Sequence, residues 1–255
     1  MPKHFAKPED ISGSSIILRG GDASHLAHVL RAQAGDQVLV SDGLGLDYDC
    51  AITRIDPKKS EVVLEIKSSC QNKTEPRLKA IVCQAIAKGD KLEYAVQKCV
   101  ELGAFEIWPI ITERTVLKEL SQSKLDRLRS VSESAAKQSM RGIVPFVSPA
   151  MSLNQAILKA LTLQAAFAAY ESEKRLGIKA YLGSLPRDVG SICFFIGPEG
   201  GFSQKEVGLF EENGISCASL GARILRSETA PLAALTAIFY EFGELGLGDE
   251  PANAR

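Results

Sequence analysis

The sequence predicts an α/β protein in which a small β-rich domain precedes a larger domain built on a parallel sheet, and three observations carry that prediction. Residues 1–70 hold short β-branched runs punctuated by Gly, Asp, Pro and Lys-Lys, with one brief helical stretch among them. From residue 78 onward, apolar strand-like runs alternate with segments of helical periodicity, as in βα units that cover both faces of a sheet. Toward the C-terminus, two such strands each run into a glycine-bearing loop that leads into a helix. A length of 255 residues with 45% hydrophobic and 24% charged side chains suits one large or two smaller globular domains.

In the first domain, Ile16–Leu18, Gln37–Val40, Cys50–Ile55 and Glu61–Ile66 read as strands and Ser24–Ala32 as the helix. Ser68–Arg77 is polar and turn-rich, and residues 71–77 are taken as the linker. The second domain, 78–245, opens on the strand Leu78–Ala87. Asp90 and Glu93 start a helix whose Leu92, Ala95, Val96, Cys99 and Val100 follow helical spacing, and Gly103 ends it. A strand at Phe105–Ile111 follows, ending beside Glu113 and Arg114, and then a helix over Ser123–Ser139. Strands at Val144–Val147 and Leu163–Tyr170 flank a helix over Leu153–Leu161, and Ser172–Gly190 reads as loops with a short turn.

The unbroken apolar run Ile192–Ile196 predicts a strand buried on both faces. It stops at Gly197, and Ser203 with Glu206 forms a capping box that starts the next helix. Ile215–Leu220, the loop Gly221–Ser227 and the helix Thr229–Phe242, with Pro231 in its first turn, repeat the logic. That last helix is apolar almost all round, so it has to be buried within the domain or against a partner. Residues 246–255 read as a polar, frayed tail.

Two glycine-bearing loops at the C-terminal edge of a parallel sheet make one pocket. Gly197, Pro198, Gly200, Gly201 and Gly221 would let main-chain groups approach a ligand with no Cβ in the way. Leu220, Ile224 and Leu225 would supply apolar walls, and Tyr170 ends a strand at the same edge. A Rossmann dinucleotide site would need G-x-G-x-x-G after its first strand, and a P-loop would need Gly-Lys-Ser/Thr; neither is present.

The net charge of −1 disfavours strong non-specific binding to a polyanion, so an RNA contact has to come from a local cluster such as Lys3, His4, Arg19, His25, His28 and Arg31. His25 and His28 share a helical spacing but have no carboxylate or Cys in their pattern, and no metal site is expected. The six cysteines include no C-x-x-C pair and fall mostly in apolar runs, as small buried hydrophobes in a reducing cytoplasm do. No signal peptide and no apolar run of membrane-spanning length is seen, so neither export nor a membrane span is expected.

The runs IGPEGGFS and LGARILRSETAPLAAL, with HLAHVLR, KGDKLEYAVQKCVELGA, TERTV and QSMR before them, resemble the SPOUT methyltransferases and, within these, the ribosomal RNA small subunit methyltransferase E family. The resemblance implies a deep trefoil knot in the parallel-sheet domain that binds S-adenosyl-L-methionine, and a PUA-like β-barrel at the N-terminus that holds RNA. It implies a homodimer that methylates N3 of one uridine in 16S rRNA of the small subunit. The cofactor would be held by Tyr170, Gly197, Pro198, Glu199, Gly200, Gly201, Leu220, Gly221, Ile224, Leu225 and Ser227. RNA would meet Lys3, His28, Arg31, Arg114 and Arg141, with a structural role for Arg114 and Arg141 the alternative. Around Arg141 the family's usual Glu-Gln-Ser-Gly-Arg-Asn-Arg becomes Lys-Gln-Ser-Met-Arg-Gly-Ile, so only Arg141 is carried over.

For transfer to uridine N3, the imide proton has to leave and the charge developing on O2 and O4 wants a fixed cation, the role expected of Arg226. Glu228 would accept the proton or orient the base, or else serve as the acid at a helix N-terminus. Two alternatives remain open: a related enzyme acting on another rRNA or tRNA nucleotide, and a non-catalytic RNA-binding protein whose second domain is a dimerisation platform.

Overall fold

In the computed structural model, which describes residues 3–246, the chain falls into two units: residues 1–75 with 136–144, and residues 76–135 with 145–255. The tail assigned to 246–255 lies outside the described residues except for Gly246.

The first unit is a six-stranded sheet. Its strands are β1 (Lys3–Phe5), β2 (Ile11–Ser12), β3 (Ser15–Arg19), β4 (Gln37–Ser41), β5 (Leu46–Asp56) and β6 (Glu61–Gln71), in the order β1-β4-β5-β6-β3-β2. Only β1 runs parallel to its neighbour. Alternate residues go inward, as a sheet with one covered face requires: Ile16 and Leu18, Val38 and Val40, Cys50 and Ile52, Val62 and Leu64. Ala23 and Leu26 from α1 (Gly20–Ser24) and the wider π-type turn His25–Val29 after it join this core. The helix expected over Ser24–Ala32 thus starts four residues earlier and loses its α-pitch at His25. β5 and β6 are longer than their β-branched centres, because cross-strand pairing continues through polar Ser68–Gln71 into the stretch taken as linker.

Residues 136–144 belong with this unit and are held there by charge. The guanidinium of Arg141, 3% exposed, donates through Nε and Nη2 to the Glu75 carboxylate at 3.2 and 2.6 Å. Glu75 also accepts the backbone N–H groups of Gly142 and Ile143. Lys137 donates to both oxygens of Asp22, and Lys3 to both oxygens of Asp47. Burial alone would raise the Asp22 pKa, but the hydrogen bonds from His4 and Lys137 outweigh it and hold that carboxyl below its ordinary value. Met140 stands at φ 61, in the left-handed region that favours glycine. Three donors converge on its carbonyl, Lys3 Nζ at 3.2 Å, Asn72 Nδ2 at 3.2 Å and Thr74 Oγ1 at 3.0 Å, and they fix the turn without a glycine.

Removing a buried partner leaves an uncompensated charge, so Arg141→Ala is expected to destabilise the protein by about 2–4 kcal/mol. Urea unfolding checks this, and a change below about 0.5 kcal/mol, the size of an exposed pair, would mean that Glu75 is satisfied without Arg141.

The second unit is an all-parallel sheet of β7 (Lys79–Ala85), β8 (Glu106–Ile111), β9 (Phe146–Val147), β10 (Met151–Ser152), β11 (Ala165–Ala169), β12 (Ser191–Ile196) and β13 (Ser216–Ala218). The order is β10-β8-β7-β12-β11-β13, with β9 pairing along the start of β8 and β10 along its end. β12 therefore enters between two strands that precede it in sequence. Its side chains from Ile192 to Ile196 are all buried, as the apolar run requires.

The helices are α2 (Lys91–Glu101), α3 (Gln122–Gln138), α4 (Leu153–Ala160), α5 (Ile178–Gly183), α6 (Gln204–Glu212) and α7 (Ala230–Glu241). α5 replaces part of the segment expected to be loop. Asp90 makes no side-chain cap on α2, and Glu93 instead pairs with Lys124 and Arg127 of α3; the hydrogen bond from Lys124 lowers its pKa. The Ser203–Glu206 capping box is present on α6. α7 buries Pro231, Ala234, Leu235, Ile238 and Phe239, while Leu232, Ala233, Thr236, Ala237 and Tyr240 line a shallow apolar groove with Leu102.

Candidate cofactor site

A cavity of about 340 Å³ opens at the C-terminal ends of β11, β12 and β13, the edge where open α/β sheets collect their ligands. Ala169, Tyr170 and Glu171 come from the end of β11. Ile196, Gly197, Pro198, Glu199 and Gly201 come from β12 and its loop, and the span from Ser219 to Ser227 follows β13. The backbone N–H of Tyr170 donates to Ala218 O at 3.0 Å and ties the first wall to the third. The Tyr170 hydroxyl accepts from Gln204 Nε2 at 2.8 Å, which fixes the ring.

Of the residues assigned to a cofactor, Tyr170, Gly197, Pro198, Glu199, Gly201, Leu220, Gly221, Ile224, Leu225 and Ser227 line this cavity, and so does Arg226. Gly200 does not. Its carbonyl accepts from Arg114 Nη1 at 2.6 Å, and a Cβ there would meet Arg114 Cδ at 3.3 Å. Arg114 thus braces the glycine loop from behind. Glu113 does the same for the turn that follows, its carboxylate accepting from Ser203 Oγ and its N–H donating to Glu206. Glu228 lies outside the lining, where its carboxylate takes the Ser227 hydroxyl at 3.3 Å, two residues before α7.

Three charged residues of the wall, Lys91, Glu171 and Arg223, were not among those assigned, and Glu199, which was, stands there as one half of an ion pair with Lys91 rather than as a lone acid. Lys91 Nζ reaches Glu199 Oε1 at 2.8 Å, and that hydrogen bond holds the Glu199 carboxyl below its usual range. Lys91 opens a helix more than 100 residues before its partner, so only the pairing of β7 with β12 brings the two together. The guanidinium groups of Arg223 and Arg226 and the Glu171 carboxylate have no partner among the described residues.

The residues expected on an RNA face divide. His28 and Arg31 are exposed. Lys3 is 4% exposed and held by Asp47, and Arg141 is held by Glu75, so both charges are used within their unit. Arg114 serves the glycine loop. Among the described residues no cluster of side chains suits a metal ion, and no helix is long and apolar enough to cross a membrane.

The family described as an RNA methyltransferase domain matches residues 74–239, and the RNA methyltransferase PUA domain matches residues 18–65. Ribosomal RNA small subunit methyltransferase E of Bacillus subtilis is 34% identical over 244 residues, 92% of this chain and 93% of its own. Its counterpart from Synechocystis is 32% identical over 91% of this chain and 75% of its own. The crystal structure of ribosomal RNA small subunit methyltransferase E from Neisseria gonorrhoeae bound to S-adenosyl methionine superposes with a TM-score of 0.84 at 32% identity, covering 94% of this chain and 97% of that one.

Proposed function

We propose, since this chain belongs to the ribosomal RNA small subunit methyltransferase E family, that it transfers a methyl group from S-adenosyl-L-methionine to N3 of one uridine in 16S rRNA. The observation that carries the reading is the cavity itself: one apolar flank, main-chain edges from two glycine-bearing loops, and two unpaired guanidinium groups at one wall. A protein serving only as a dimerisation platform has no use for unpaired arginines around a recess of this size.

Leu220, Ile224 and Leu225 suit an adenine ring, whose edge would be read by main-chain groups of the loop after β12. The bound cofactor supplies an electrophilic methyl; the protein's part is to hold uridine N3 in line with it. N3 is a nucleophile only as the imide loses its proton, which passes to solvent water, and the resulting charge spreads onto O2 and O4. Arg226, unpaired at the cavity wall, is the cation for that charge, and Arg223 is placed for a backbone phosphate of the same nucleotide. Glu228, turned to Ser227, takes the helix-terminal role rather than that of a base. RNA is held further by His28 and Arg31 on the exposed turn of the PUA-like domain. A second copy covers the apolar groove of α7, and the enzyme works where ribosomes are assembled, in the cytoplasm.

The test is nucleoside mass spectrometry of small-subunit rRNA from cells lacking the gene, with and without its return on a plasmid. N3-methyluridine is expected to vanish and reappear. If it persists while another methylated base is lost, the substrate assignment is wrong and the cofactor assignment stands.

A further inference from the structure

We infer that Glu171 is the ribose-binding residue of the cofactor site, its carboxylate taking the 2′- and 3′-hydroxyl groups of S-adenosyl-L-methionine; the inference rests on the cofactor reading above. Glu171 lies two residues past the end of β11, and β11 lies between β12 and β13 in the sheet, so this side chain stands between the two loops that form the other walls. The adenine side of the cavity is the β13 side, where Leu220, Ile224 and Leu225 gather. The sugar, bonded to the base, comes next across the sheet, over the end of β11.

The carboxylate, on an exposed side chain, lies against Gly201. Gly201 has φ +67, and a Cβ built there would collide with Glu171 Oε1, so the acid occupies the space that any other residue at 201 would fill. Yet it accepts no hydrogen bond and joins no ion pair among the described residues, while the neighbouring acid, Glu199, is neutralised by Lys91. A carboxylate with two free oxygens matches a cis-diol, which offers two hydroxyl donors side by side.

Titration calorimetry with S-adenosylhomocysteine, 5′-methylthioadenosine and 2′-deoxy-5′-methylthioadenosine decides the matter. Glu171→Ala is expected to weaken both ribose ligands by the same factor, about 10- to 100-fold, and to weaken the deoxy ligand, which keeps only the 3′-hydroxyl, by a smaller factor. Glu171→Gln, which keeps the shape and one acceptor, falls between. A loss confined to S-adenosylhomocysteine would mean that the carboxylate meets the amino acid end and would overturn the inference, as would unchanged binding of all three. Failure of the unaltered protein to bind any of them would remove the cofactor reading and the inference together.

Discussion

Arg226→Ala is expected to slow methyl transfer by about 10²–10³-fold, the loss seen when one fixed donor to a developing oxyanion is removed, with little change in cofactor affinity. The reason is local. The backbone of Arg226 is already committed, its carbonyl accepting from Thr229 and Ala230 as α7 begins, so the substitution removes a guanidinium without unwinding the helix start. That guanidinium has no partner among the described residues, and nothing inside the protein is left unpaired by its loss. Single-turnover assays with saturating cofactor separate this from binding. Near-normal turnover would take Arg226 out of the chemistry and leave positioning of the two reactants as the main source of rate.

Gly201→Val is expected to weaken S-adenosyl-L-methionine binding by roughly 100-fold or more, since left-handed backbone costs a side-chain-bearing residue about 1–2 kcal/mol and the new Cβ would also evict Glu171. Gly200→Ala is the control: its φ is ordinary and its Cβ would meet only the flexible Arg114 side chain. Equal effects from the two substitutions would mean that loop rigidity, rather than the wall at Gly201, governs the cavity. Equilibrium binding on both variants distinguishes these outcomes.

Much of this site was legible because its parts are contiguous. Ile192–Gly201 and Ser216–Ser227 announce strand and loop by composition alone, and the resemblance to SPOUT methyltransferases with a PUA-like N-terminal domain is matched by the fold. What could not be read is whatever depends on strand order. Lys91 meets Glu199 only because β12 inserts beside β7, and no pattern of hydrophobicity encodes that insertion. Charge was the other blind spot. Lys3 and Arg141 are basic residues whose sequence pattern is shared by surface contacts and buried ion pairs, and only burial with a partner tells them apart, while Arg114 stays exposed and is distinguished by its bond to the Gly200 carbonyl. β1 and β2 were missed because strands of three and two residues carry too little periodicity.

The segment 136–144 has a practical consequence for anyone wishing to cut this protein in two. A break at 71–77 looks natural, but the N-terminal fragment would lack Lys137 and Arg141, leaving Asp22 without its lysine and Glu75 without its arginine. The C-terminal fragment would carry those two cations without Asp22 and Glu75. Separate expression of the halves is therefore a poor route to an isolated catalytic domain. A shortened version would keep the chain at least through Glu244, which lies beyond the last helix and accepts the Arg77 N–H.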